Sequence, residues 1–146
     1  MAKMTKAIDV TAPAEKIFQT LDDPKAIPLY VPAVTTISDV RQSEKRIGDT
    51  FRATYGLMGM HFEISFKNTE HEPGRRIARR FDGPMSGALA YTLEPHANST
   101  KVKFDVDYEM SGGVLGKVVD RLLVERMNEK NAERMLENLK MMMESQ

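Results

Sequence analysis

Arg79 carries more chemical potential than any other residue of this sequence. It stands between Ile77 and Phe81 in the run Arg75–Asp82, and strand alternation puts all three on one face. If that face is the inner one, a guanidinium enters the core. It must then meet an acid or an anionic ligand, because an unpaired buried charge is costly. A carboxylate or phosphate group matches its planar fork of donors. The opposite parity turns Ala78 and Arg80 inward and leaves Arg79 in water. Tyr55, Tyr91 and Tyr108 fall on the apolar parity of their strands, and each hydroxyl needs a partner. They could orient a polar ligand group, donate a proton to an enolate, or be core residues whose tips reach water or backbone. Asn128 and Asn131 interrupt a helical pattern that disfavours asparagine. Two of them facing a sheet point to a hydrated or ligand-contacting cavity.

Other chemistries find little support. His61, His71 and His96 are scattered without a metal-binding spacing, so neither a metal nor any other cofactor is expected. Asp22-Asp23 and Glu70-x-Glu72 lie in loop-like stretches and read as solvated. His61 remains a conceivable proton-transfer group only if its strand turns it inward. The chain has no cysteine, which removes disulfides, thiolate metal sites and a cysteine nucleophile, and fits a reducing cytosol. No serine triad ordering, phosphate loop or dinucleotide fingerprint is present. Lys plus Arg equal Asp plus Glu at 21 each, so nothing global draws nucleic acid or an anionic membrane. The first residues lack an apolar signal core, and a cytoplasmic location is expected. Eleven methionines with no tryptophan suit either a cavity that adapts its shape or ordinary gap-filling.

The elements that must position these residues follow from period and punctuation. Met4–Thr11 alternates as a first strand. Thr11-Ala12-Pro13-Ala14-Glu15 starts a helix with its apolar side at Ile17, Phe18 and Leu21, and Asp22-Asp23-Pro24 stops it. A short turn of helix over Lys25–Leu29 precedes a weakly patterned strand, Ala33–Val40, whose broken alternation suggests a bulge. Strands follow at Thr50–Tyr55, Met60–Glu70, Arg75–Asp82, Ser86–Glu94 and Lys101–Glu109. Their links are short enough for hairpins, which predicts an antiparallel meander. Val114–Met143 reads as one long helix with two apolar stripes. Leu115, Val118, Val119, Leu122 and Leu123 form the first, while Val124, Met127, Met135, Leu139 and Met142 form the second, nearly opposite. The second stripe is expected on the sheet and the first at a lip. A chain of 146 residues with no linker or repeat is expected to be one domain, 1–146.

This order, with Ile8-Asp9-Val10-Thr11-Ala12-Pro13-Ala14-Glu15-Lys16-Ile17-Phe18, Leu21-Asp22-Asp23-Pro24, Gly48-Asp49-Thr50, Glu72-Pro73-Gly74-Arg75-Arg76-Ile77, Tyr91-Thr92-Leu93-Glu94-Pro95 and Gly112-Gly113-Val114-Leu115-Gly116, resembles the Bet v 1-like (START-like, SRPBCC) superfamily. Within it, the group of polyketide cyclase/dehydrase and lipid-transport proteins is the most similar. The resemblance implies an α+β helix-grip fold. In it a curved antiparallel sheet of about seven strands wraps a long C-terminal helix, two short helices join strands 1 and 2, and an elongated cavity lies between sheet and helix. The matching residues are turns, caps and core positions, and no catalytic motif is shared across the superfamily. Relatives carry tryptophans near the second helix; here Tyr30 stands at a comparable place.

On this reading Tyr55, Phe62, Ile64, Phe66, Arg79, Tyr91, Phe104, Met127, Asn128, Asn131 and Met135 bind the ligand, and Tyr30, Leu57, Met58, Leu115 and Val119 form the mouth. The first expectation is a carrier for a small hydrophobic molecule, whether lipid, isoprenoid, quinone-like or polyketide-like, with no catalytic set needed. The second is a polyketide cyclase or dehydratase using a tyrosine, Arg79 or His61 for proton transfer. The third is an interaction module presenting the apolar Leu57–Met60 tip and the helix lip to a protein or, transiently, a membrane. Monomer and homodimer both fit.

Overall fold

The computed structural model describes residues 2–57, 59–110 and 121–145. The chain forms β1 (Ala2–Val10), α1 (Ala14–Asp22), a 3-10 turn (Pro24–Ala26), α2 (Ile27–Tyr30), then β2 (Val34–Arg41), β3 (Thr50–Leu57), β4 (Met60–Glu72), β5 (Arg76–Asp82), β6 (Met85–Pro95) and β7 (Thr100–Met110). The long helix α3 covers Arg121–Glu144. Its expected first turns, residues 114–120, and the stripe upstream of Arg121 lie outside the described residues.

The seven strands form one antiparallel sheet in the order β1-β7-β6-β5-β4-β3-β2. Strands β2 to β7 are the meander that the short links require. β1 closes onto β7 in unbroken register from Ala2 opposite Tyr108 to Val10 opposite Thr100. The consecutive strands β1 and β2 therefore sit on opposite edges, and α1 and α2 carry the chain across. Helix α1 begins after an extended Pro13 at its cap; it buries Ile17, Phe18 and Leu21 against the sheet. The broken alternation of β2 is a true irregularity. Its register with β3 shifts between Val34 and Thr36 and again between Ser38 and Arg41, with Asp39 at φ 51°.

Two clusters of buried side chains fill the space under the sheet. The larger joins α1, α2 and the inner faces of β3, β5, β6 and β7 to Ala132, Met135, Leu136, Leu139 and Met143 of α3. The smaller gathers Leu57, Ile64, Met85, Tyr108, Met110 and Val124. The face of α3 that is buried runs through Val124, Asn128, Ala132, Met135, Leu136, Leu139 and Met143. This is rotated from the expected stripe, so Met127 and Met142 are only partly covered. Val124, Met135, Leu139 and the Asn128 that falls among them are common to both, while Ala132, too small to mark a stripe, lies at the buried centre.

Gly87 marks the closest approach within the sheet. A β-carbon there would overlap the Asp107 carbonyl oxygen and lie 2.8 Å from Tyr108 Cα. Both are backbone atoms that cannot swing aside, so Gly87→Ala should destabilise the fold by about 1–3 kcal/mol, the usual cost of overpacking. Denaturant unfolding of the variant checks this; an unchanged midpoint would mean the strands separate freely there.

Candidate functional site

Between the two clusters the packing is incomplete. A cavity of about 140 Å³ opens between the inner face of the sheet and α3. Aromatic rings dominate its wall: Phe51 and Tyr55 from β3, Phe66 from β4, Phe81 from β5, Tyr91 from β6, Phe104 and Tyr108 from β7. Ile27 and Val31 close it from the α2 side, and Asn128, Asn131, Ala132 and Met135 from α3. Alternation explains the sheet contributions. Ile77, Arg79 and Phe81 share a face, and that face is the inner one.

Nine of the expected ligand-contacting residues line this space: Tyr55, Ile64, Phe66, Arg79, Tyr91, Phe104, Asn128, Asn131 and Met135. Phe62 and Met127 do not. Phe62 has the right parity but sits toward the β3–β4 hairpin, where it packs partly buried on the smaller cluster. Met127 stands one residue off the buried Val124–Asn128–Ala132 line and packs there too. Tyr30 is not a mouth residue: it is 1% exposed and belongs to the main core. Leu57 is 2% exposed and seals the end of the smaller cluster rather than forming a lip. Met58, Leu115 and Val119 lie outside the described residues. Phe51, Ala53, Phe81 and Leu89 were missed although their parity with Tyr55, Arg79 and Tyr91 pointed to them. Ile27 and Val31, on and just after a four-residue helix, gave no periodic signal.

The polar groups fall into two sets. At one end Tyr55 Oη donates to Asn128 Oδ1 at 2.7 Å, and Asn128 Nδ2 donates to Tyr108 Oη at 2.9 Å. This chain satisfies the asparagine that sequence reasoning found out of place on a helix. At the other end Arg79, 3% exposed, donates from Nε to Asn68 Oδ1 at 3.0 Å and from Nη2 to the Leu21 carbonyl at 2.8 Å. The Leu21 carbonyl lies in the last turn of α1, where acceptors lack helical donors and a cation is favoured. The guanidinium also lies 5.1 Å from the centre of the Phe51 ring. The solvent-facing alternative for Arg79 is thereby excluded. Tyr91 Oη, on the same wall, donates to Met135 Sδ at 3.2 Å.

Asp22 is not simply solvated. Its carboxylate meets His71 Nε2 at 3.0 Å and Arg46 Nε at 3.6 Å, and His71 lies edge-on to Phe18. Asp23 accepts the Lys25 amide, while Glu70 and Glu72 lie on β4 and pair with Arg76 and Arg75. His61 is exposed on the outer parity of β4. Among the described residues no group of three or more histidines and acids could hold a metal, and no helix is long and apolar enough to cross a membrane.

The fold and sequence have counterparts. A protein of Thermus thermophilus superposes with a TM-score of 0.81 at 19% identity, covering 95% of this chain and 94% of the other. A START superfamily protein of Mycobacterium smegmatis gives 0.81 at 17%, covering 98% and 97%. The Zhui aromatase/cyclase of Streptomyces sp. R1128 gives 0.75 at 16%, covering 94% and 90%. These likenesses establish the helix-grip fold. The family described as "Polyketide cyclase / dehydrase and lipid transport" matches residues 1–144. No curated protein matches the chain.

All four tyrosines hold their protons more tightly than a free phenol. Burial is the largest cause in each case, raising Tyr30 and Tyr55 from 10.0 to about 12 and raising Tyr91 and Tyr108 as well. Arg79 pulls the other way at Tyr30 and Tyr91, as Asn131 does at Tyr55 and Asn128 at Tyr108. Raised values favour the folded state fully below the unfolded pKa, and that stability drains away above it. Stability should therefore fall as pH rises from 10.0 toward about 12. In a spectrophotometric titration the phenolate band should stay nearly flat at pH 10.0 while the protein is folded. A band half developed there would show the phenols in water.

Proposed function

The chain belongs to the polyketide cyclase, dehydrase and lipid-transport family, and on that footing we propose that it binds a small hydrophobic molecule in the cavity between sheet and α3. The observation that carries this is the cavity itself: about 140 Å³, walled by aromatic and aliphatic side chains with few polar groups. An apolar space of roughly 150 Å³ stays dry and accepts a benzene-sized guest. Typical ligand pockets are larger, about 300–1,000 Å³. The space as it stands thus suits a single ring or a short branched chain. A sterol, quinone or polyketide requires α2 or α3 to give way. Binding then draws on apolar surface removed from water, about 0.8 kcal/mol per methylene.

A second reading, a cyclase or dehydratase, is favoured by the inward convergence of Arg79, Tyr91, Tyr55 and Tyr108 on one cavity. Such groups can polarise a carbonyl. Proton abstraction also needs an acceptor tuned near working pH, and the described lining residues include no carboxylate or imidazole. The set therefore fits binding and orientation better than proton transfer. Of the surface the interaction-module reading needs, Leu57 is buried and Leu122 is exposed, while Met58, Leu115 and Val119 lie outside the described residues.

Ala132 lines the cavity from α3 at 6% exposure, so Ala132→Leu should fill part of it. Toluene titrated by NMR should bind the native protein and bind the variant about tenfold more weakly or worse, a loss of about 1.4 kcal/mol, while Tm holds or rises. Toluene ignoring the native protein, or binding both alike, would remove the cavity as the ligand site.

A further inference from the structure

The cavity is apolar, but its wall includes one buried cation with no acid paired to it among the described residues. Arg79 is 3% exposed and lines the wall. Its two hydrogen bonds run from Nε to Asn68 Oδ1 and from Nη2 to the Leu21 carbonyl. Among the described residues no carboxylate lies within the 4.0 Å of an ion pair with it; Asp22, next to the Leu21 that Arg79 contacts, pairs instead with His71 and Arg46. Its bonded acceptors, an amide and a peptide carbonyl, are both neutral.

Tyr91 lines the same space, and its Oη has a thioether for its acceptor, a weak one compared with an oxygen. Tyr30 Oη is the buried side-chain polar atom left without a partner among the described residues. The charge of Arg79 bears on the ionisation of both phenols; of the two, Tyr91 lines the cavity, while Tyr30 packs in the core behind it.

We propose that the Arg79 end of the cavity is an oxyanion subsite, so that the ligand is a small apolar carboxylate whose ring or branched chain fills the hollow and whose head meets Arg79 and Tyr91. This rests on the hydrophobic-ligand reading above and adds the head group to it. A carboxylate supplies the missing negative charge and a stronger acceptor for Tyr91 than the Met135 thioether, and its two oxygens match a guanidinium edge. Phosphate fits less well: it brings more charge than one arginine neutralises into a wall that is otherwise hydrocarbon. The competing account gives Arg79 the sole task of tying α1 to the sheet through Leu21, and it predicts no preference among ligands.

Benzoate and nitrobenzene, isosteres that differ in charge, separate the two accounts by calorimetric titration at neutral pH. The native protein should bind benzoate about tenfold or more tighter than nitrobenzene, as expected of a charge-assisted pair. Arg79→Gln should abolish that preference and leave nitrobenzene binding within about twofold. Tyr91→Phe, which keeps the ring and its packing, should weaken benzoate several-fold without affecting nitrobenzene. NMR of carboxyl-labelled benzoate should show the bound acid staying ionised to lower pH than the free acid.

Nitrobenzene binding as well as or better than benzoate overturns the subsite and leaves the hydrophobic-ligand reading standing. So does Arg79→Gln weakening both ligands alike, or Tyr91→Phe leaving benzoate untouched in a folded variant. If neither ring binds, both readings fall together.

Discussion

Seven strands spaced about 4.8 Å apart make a surface about 29 Å across, whereas a helix with its side chains is about 10–12 Å thick. One helix cannot cover such a sheet. Here α3 rests on β1 and α2, so the inner faces of the middle strands need other cover. Helices α1 and α2 and large side chains supply most of it. What they leave uncovered is the hollow lined by Phe51, Tyr55, Phe66, Phe81, Tyr91 and Phe104. The cavity is thus a consequence of architecture before it is a feature of any one residue, and side-chain choice decides how much of it survives.

That choice bears most heavily at Arg79. A guanidinium in this position fastens two layers, since it reaches the last turn of α1 through Leu21 and β4 through Asn68. Asp22, one residue further along α1, is held by His71 of β4 and by Arg46. The C-terminal end of a nine-residue helix is therefore pinned by charge at two adjacent points. Leucine or methionine in place of Arg79 would pack the same wall, but would leave the Leu21 carbonyl and the Asn68 amide without their donor. The charged residue keeps the helix end in place and makes one end of an apolar space electropositive.

Much of the architecture was legible because it depends on period and punctuation. The near-perfect alternation of Lys101–Glu109 became β7, the short links became the meander, and the uneven Ala33–Val40 became the interrupted β2. Shared parity along a strand was legible too, as for Ile77, Arg79 and Phe81, but which of the two faces turns inward was not; packing decides it. Nor was depth. Phe62 and Phe66 have one parity, yet only Phe66 reaches the cavity, because position along a strand is set by neighbours that arrive from elsewhere. Tyr30 was expected at the rim from the resemblance and Leu57 from its place in an apolar hairpin tip; both instead pack into the buried clusters. On α3 the out-of-place Asn128 pointed to the sheet side, and it lies on the buried face, where two phenols satisfy it.

The pairing of β1 with β7 has a bearing on how the chain comes to be folded. The first strand's neighbour in the sheet lies about a hundred residues downstream, with Lys3 opposite Asp107 and Ile8 opposite Val102. Contacts so remote in sequence form slowly, and during synthesis the N-terminal segment emerges long before its mate. Until then Met4, Ile8 and Val10 must wait with their amides unpaired or lean on transient company. The meander from β2 to β7, by contrast, can zip hairpin by hairpin as it appears. The last strand to arrive is the one that lets the first settle.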